Sequence, residues 1–213
     1  MGPDGKQGEI YSTLFDRIIK GRIPPDSWLR EDDLAEEFHV SRTPVRDVLR
    51  LLEQDDLIEI IPKRGARVYP FTVDDLEDIF EIRRVLESLS LEYAVPSLSI
   101  HKILEIRDLV VETKDSEDNV KLAEVDSRLH RFFIESSQRR RLINMLSELT
   151  RLLSSFRELA FIEEDVRKNT YEEHIELIDA IYVRDVESAK KILERHIRNS
   201  KNRILQTVYH KVK

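Results

Sequence analysis

Cysteine is absent from the 213 residues. That excludes disulfides and thiolate metal sites, so any metal must be held by His, Asp or Glu. Glycine (5) and proline (7) are scarce, as in chains built from long helices with few irregular connections. No apolar run approaches the ~18 residues of a membrane span, and the N-terminal region has no apolar stretch of signal-peptide length. The expectation is a cytoplasmic chain with no membrane partner. A basic excess is also missing: 35 Lys and Arg stand against 42 Asp and Glu, for a net charge of −7. Taken as a sum, that charge argues against a nucleic-acid partner. What is present is 40% hydrophobic and 36% charged residues, enough for a packed core under a heavily charged surface. The length allows one large domain or two small ones.

The distribution of charge says something different from its sum. Residues 42–50 and 63–67 hold Arg42, Arg46, Arg50, Lys63, Arg64 and Arg67 against the single acid Asp47, whereas acids gather at Glu31–Glu37 and Glu53–Glu59. After a polar lead at 1–8, read as disordered, Ile10, Leu14, Ile18 and Ile19 recur at helical spacing, with Gly21 just beyond. A short helix is expected around Glu31–His39, with Leu34, Ala35 and Phe38 inward. After a tight turn at Val40-Ser41-Arg42, Thr43-Pro44 reads as the capped start of a further helix. In it Val45, Val48, Leu49 and Leu52 make an apolar stripe, and Arg46 and Arg50 lie on another face. Leu57–Ile61 and Ala66–Tyr69 read as strands joined by Pro62-Lys63-Arg64-Gly65, a hairpin with a basic tip. This order is that of a winged helix-turn-helix. In such a unit the recognition helix enters the major groove with its N-terminal residues at base edges, and arginine suits guanine. Arg42, Thr43 and Arg46 occupy that N-terminus, and Lys63 and Arg64 can reach phosphates or the minor groove. The bland alternative is an ordinary helical pair with solvated arginines.

From Thr72 onward only helical periodicity is found. Thr72 and Asp75 look like the capped start of the first of six segments: 73–94, 97–113, 117–138, 140–160, 164–184 and 186–210. The expected architecture is mainly α: a winged helix-turn-helix over 1–70, then an all-helical six-helix bundle over 71–213. Asp126 and His130 are spaced i, i+4 at the edge of one apolar stripe. His174 lies amid Tyr171, Leu177, Ile178 and Ile181, and His196 shares a face with Ala189, Ile192 and Leu193. Three helices thus aim an imidazole inward, and buried imidazoles must each find a partner. From the residues alone two readings stand: satisfied core histidines, or ligands of a divalent ion such as zinc or nickel.

The run LAEEFHVSRTPVRDVLRLLE, residues 34–53, resembles the signature of the GntR family of bacterial regulators, and Arg64-Gly65 resembles the family's wing. The resemblance implies DNA contacts by Arg42, Thr43, Arg46 and the tip from Lys63 to Gly65, with Arg50 on the same basic face. Two positions depart from it. Asp32 stands where several members carry a DNA-touching arginine. Asp56 stands where a glycine usually ends the recognition helix, which should strain the backbone. Residues 72–211 resemble the helical effector domain of the FadR subfamily, the FCD domain, in its metal-binding branch. That implies Asp126, His130, His174 and His196 as metal ligands. It also implies a small organic acid as effector, with Arg83 balancing its charge and Asn199 or Arg203 completing the pocket. A two-fold DNA operator would call for a homodimer, with the bundle as its interface. The competing class is a hydrolase whose Asp and His activate water, but no further Glu or His is clearly placed as a general base. No catalytic residue is assigned.

Overall fold

The computed structural model describes residues 5–157, 161 and 163–211. The Cα trace divides into two compact units, Met1–Asp75 and Leu76–Lys213.

In the first unit, α1 (Lys6–Ile19) buries Ile10, Tyr11, Leu14, Phe15, Ile18 and Ile19. It starts inside the lead expected to be disordered, because Ile10 and Tyr11 already need an ordered first turn beneath them; residues 1–4 lie outside the described residues. Gly21 takes φ 66° just past its end, as a helix terminus requires. Next come β1 (Trp28–Leu29), α2 (Glu31–Glu37) and α3 (Arg42–Gln54). Within α2 only Leu34 is fully buried, and Phe38 lies half-buried under the Arg17 guanidinium. The start of α3 differs from the expectation: Ser41, with extended backbone, is its N-cap and Arg42 its first residue. Pro44 is tolerated there because the first-turn N–H groups have no partner within the helix anyway. Val45, Val48, Leu49 and Leu52 form the buried stripe of α3, which packs on α1 and α2. Tyr11 Oη donates to the Asp55 carboxylate across α1 and α3.

At the end of α3, Asp56 adopts φ 55°. Its N–H bonds to Glu53 O and that of Leu57 to Leu52 O, the paired bonds of a Schellman cap. The position usually given to glycine is therefore left-handed here on a residue with a side chain.

β2 (Ile58–Ile61) and β3 (Gly65–Val68) form the wing, paired antiparallel with Ile61 opposite Gly65. β1 adds to the far edge of β3, so the sheet order is β1-β3-β2. This strand was not foreseen: two residues are too short for any alternation. Lys63 turns the hairpin at φ 68°. Gly65 has φ 107°, and a Cβ there would stand 2.7 Å from the Leu29 carbonyl oxygen. Glycine at the wing is thus required by the close approach of β1.

The second unit follows from α4 (Val73–Ala94), whose start is capped reciprocally: Asp75 Oδ2 accepts from Thr72 N at 2.7 Å and Thr72 Oγ1 accepts from Asp75 N at 3.1 Å. A 3-10 turn at Val95–Ser97 leads to α5 (Ile100–Val111), α6 (Asn119–Ser136), α7 (Arg140–Arg157), α8 (Glu164–Tyr182) and α9 (Val186–Lys211). The end of the helix expected over 140–160 lies at 158–160, outside the described residues. α8 packs on α9 and α5, and α6 on α5 and α7. Phe80, Leu91, Ile103, Leu129, Phe133, Leu146 and Leu153 are fully buried between the helices. This shell surrounds the polar cluster described next.

Candidate metal centre and nucleic-acid interface

Within the second unit, α6, α8 and α9 bring Asp126, His130, His174 and His196 to one place. All four are buried, and one donor atom from each lies within 4.8 Å of the others. Asp126 Oδ1 is 3.7, 3.3 and 3.4 Å from Nε2 of His130, His174 and His196. Nε2 of His130 and Nε2 of His196 stand 3.2 Å apart. Helical periodicity explains the convergence: Asp126 and His130 project one turn apart from α6, while His174 and His196 lie on the inward faces of α8 and α9.

Two carboxylates absent from the sequence reading complete the cluster. Glu87 of α4 is wholly buried, with Oε2 2.5 Å from His130 Nδ1 and Oε1 accepting from Arg83 Nε. Glu173 of α8 places Oε2 2.8 Å from His196 Nδ1, and its Oε1 accepts from Asn199 Nδ2 at 2.5 Å. Arg203 Nη2 lies 3.7 Å from the same carboxylate. With Nδ1–H given to these acids, His130 and His196 turn unprotonated Nε2 atoms toward each other. Two lone pairs at that distance repel, and either a proton or a cation between them resolves the clash. His174 Nε2 faces the same point, 3.3 Å from Asp126 Oδ1.

The electrostatics agree. Burial alone would raise the Asp126 carboxyl, but the surrounding imidazoles outweigh it and hold the group well below the usual carboxylate range. Glu87 is drawn down to about 2 against its burial, by Arg83 and His130. Glu173 also falls to about 2, by His196, Asn199 and Arg203. Burial presses His174 down to about 4, keeping it neutral. His196 is also buried, yet Asp126 and Glu173 raise it.

Beside Asp126 and His196 lies a small cavity with about 10 Å³ of room for the centre of a water molecule. Its walls include Phe80, Leu153, Phe161 and Ile204, and its polar lining includes Arg83, Thr170 and Arg203. Arg83 Nη2 and Thr170 Oγ1 are buried there without hydrogen-bond partners. Of the expected effector residues, Arg83 and Arg203 reach this cavity. Asn199 instead holds Glu173 and lines a separate polar groove between α8 and α9.

In the first unit, Arg42, Arg46, Arg50, Lys63, Arg64 and Gly65 line one concavity of about 840 Å³ between α3 and the wing. Thr43 is exposed on the first turn of α3 but is not part of that lining. The same concavity includes Glu31 and Asp32 from the start of α2. Glu31 meets Arg46 through two bonds, Nε to Oε1 at 2.9 Å and Nη2 to Oε2 at 2.7 Å. Asp32 pairs with Arg42 Nε.

Residues 6–68 match the family described as bacterial regulatory proteins, gntR family, and residues 78–199 match the FCD domain. The chain belongs to the GntR family and carries an FCD domain. It is a DNA-binding transcriptional regulator, and that assignment sets aside the hydrolase alternative. It is 24% identical over 192 residues to the HTH-type transcriptional regulator YdhC of Bacillus subtilis, covering 88% of this chain and 86% of that protein. The fold is similar to E. coli McbR/YncC, with a TM-score of 0.73 at 18% identity over 99% of this chain and 100% of that one. It is also similar to the zinc-bound FCD domain of the regulator TM0439, with a TM-score of 0.55 at 22% identity over 66% of this chain and 99% of that one. Among the described residues, no helix is long and apolar enough to cross a membrane.

Proposed function

We propose that this regulator binds a two-fold DNA operator as a homodimer, and that a small carboxylate effector at a divalent metal in the helical unit modulates its affinity. The observation that carries the metal is the convergence of three imidazole nitrogens and a carboxylate oxygen, with His130 and His196 held at Nδ1 by Glu87 and Glu173. Outer carboxylates that fix ring orientation are the common support of metal-bound histidine. Four of the donor separations, 3.2–3.7 Å, are near what bonds of about 2.0–2.1 Å to a shared ion produce, within a set that spans up to 4.8 Å. Asp126, His130, His174 and His196 would hold the ion, and neutral imidazole with carboxylate suits zinc or nickel. A bound ion would supply a Lewis-acidic position for an anion. The FCD domain of TM0439, solved with zinc and in a metal-free form, supports the reading.

The effector is inferred from the cavity. The unpartnered Arg83 Nη2 and Thr170 Oγ1 are donors suited to a carboxylate beside the ligands, and Arg203 adds positive charge. Room for about one water means that a larger acid requires the helices to part. Binding would then favour one conformation, and the difference in affinity between states is the coupling felt at the DNA. The same small cavity favours a second reading, in which the metal itself is the signal.

DNA contact is assigned to Arg42, Thr43, Arg46 and Arg50 on α3 and to Lys63 and Arg64 on the wing, with Gly65 shaping it. The dimer is assigned to the second unit, where α4 leaves Ile82 (47% exposed) and Val85 (54%) uncovered opposite its buried face. Since operators sit in the cytoplasm, the protein is placed there.

Elemental analysis tests the metal: about one ion per chain, lost in His174→Ala, is expected, and no ion after zinc or nickel is added would overturn the site. Operator titrations with and without a panel of small carboxylates, each repeated after chelation, separate effector sensing from metal sensing. Acids that act only on the metal-loaded protein support the first; a response to metal alone supports the second.

A further inference from the structure

The two acids in the DNA-facing concavity are the least explained feature of the first unit. DNA is a polyanion, and carboxylates on a surface that meets it oppose binding. Glu31 nevertheless makes its pair to Arg46 through both oxygens, and deep burial is not the cause, since the Arg46 side chain is 52% exposed and that of Glu31 31%. The direction of the pairing is informative. A guanidinium has five N–H groups in a rigid fork. Glu31 occupies the Nε and Nη2 edge of Arg46, and Asp32 meets Arg42 at Nε. In both arginines the end of the fork that carries Nη1 has no partner among the described residues. That end is the one that can donate side by side to guanine O6 and N7.

We propose that Glu31 and Asp32 are positioning residues that hold Arg46 and Arg42 by one edge and present the other edge to guanine. This rests on the assignment of α3 as the recognition helix. The carboxylates lower the net charge of the surface, which weakens attraction to any duplex. They also remove rotamer freedom from two long side chains, which favours only a sequence that offers paired acceptors in the right place. The two effects have opposite signs on the two kinds of DNA. Asp32 extends the same arrangement to Arg42, at the N-terminus of α3.

The test is a double-mutant cycle on the full chain. Its probes are a duplex enriched by the protein from a randomised pool and a random-sequence duplex of equal length, each titrated by fluorescence anisotropy. Glu31→Ala is expected to weaken binding to the enriched duplex about fivefold, the low end of the value of one bidentate base contact, and to flatten one guanine preference in a repeated selection. The same change is expected to tighten binding to the random duplex, with an advantage over the parent that shrinks about three- to fourfold between ~50 and ~200 mM salt, as one unit of charge implies. In an Arg46→Ala background, Glu31→Ala should no longer weaken the enriched duplex, leaving only the charge-driven tightening seen with the random duplex. Glu31→Gln, whose amide oxygen still accepts from the guanidinium, should recover part of the loss. Asp32→Asn and Asp32→Ala with Arg42→Ala repeat the cycle at the second pair. Equal tightening on both duplexes would reduce the acids to simple charge and overturn the inference. So would a loss of affinity for the enriched duplex on Glu31→Ala that persists without Arg46. If Arg46→Ala itself leaves the enriched duplex bound as tightly as before, the placement of α3 falls and the inference with it. If Arg46→Ala weakens binding and Glu31→Ala does not, the placement stands and the inference alone is overturned.

Discussion

Replacing Glu87 by glutamine separates two roles that the structure gives to one carboxylate. Glu87 is fully buried, with Arg83 Nε on one oxygen and His130 Nδ1 2.5 Å from the other. Burial would raise its carboxyl, but Arg83 and His130 pull it to about 2 against 4.5 in an unfolded chain. A gap of that size is worth roughly 3 kcal/mol at neutral pH. Because the folded value is the lower one, this stability is complete above pH ~4.5 and is lost as pH falls toward ~2. Glutamine keeps the shape and removes the charge, leaving Arg83 as a buried cation without its counter-ion. Metal-free Glu87→Gln should therefore unfold in urea with about 3 kcal/mol less stability at pH 7, and the difference should narrow between about pH 4.5 and pH 2. Zinc affinity, measured by competition with a chromophoric chelator, should fall about 10- to 100-fold, because His130 loses the group that orients it. Unchanged zinc affinity alongside lost stability would make Glu87 only the counter-ion of Arg83. No change in either would refute the reading of the pair.

Glu173→Gln should reduce zinc affinity about as much, through His196. Its metal-free stability cost should be smaller, about 1 kcal/mol by denaturant titration, because Glu173 borders a groove that admits water. His196 is raised above its ordinary value, so zinc binding near pH 6.5 should expel a proton. Affinity should rise with pH until that proton is gone, as read by calorimetry in buffers of different ionisation heat. Gly65→Ala would force a Cβ against the Leu29 carbonyl at positive φ, and about 1–3 kcal/mol of destabilisation is expected in thermal or urea unfolding. Ile82→Glu should shift sedimentation toward monomer if the uncovered face of α4 pairs with a second copy.

The elements that were legible in the sequence are those whose own periodicity carries the signal. Val45, Val48, Leu49 and Leu52 mark α3 without reference to anything else, and the basic tip between two apolar runs marks the wing. The cluster at Asp126, His130, His174 and His196 was visible because His174 and His196 share apolar faces and Asp126 and His130 edge another. Glu87 was not. Four residues after Arg83, it reads as half of an ordinary helix ion pair, and its second partner, His130, is remote in sequence. Glu173 adjoins His174, but neighbouring helix residues point about 100° apart, and it supports His196 instead. Arg83, given an effector role by the resemblance, has Nε held by Glu87 and Nη2 buried without a partner. A side chain's role fails to show in one sequence when its partner comes from another helix.

Both units use carboxylates in the same way. In the second, Glu87 and Glu173 take Nδ1 of an imidazole and leave Nε2 directed inward. In the first, Glu31 and Asp32 take the Nε edge of an arginine and leave its end directed outward. Each acid subtracts charge and adds direction. A partner that responds to charge alone, such as the phosphate backbone, is bound less well for it. A partner with acceptors or orbitals in fixed places is bound more selectively. On that argument a net charge of −7 is compatible with a DNA-binding protein. The local basic surface, not the sum, meets the duplex, and the acids among its arginines act on sequence preference at the expense of general affinity.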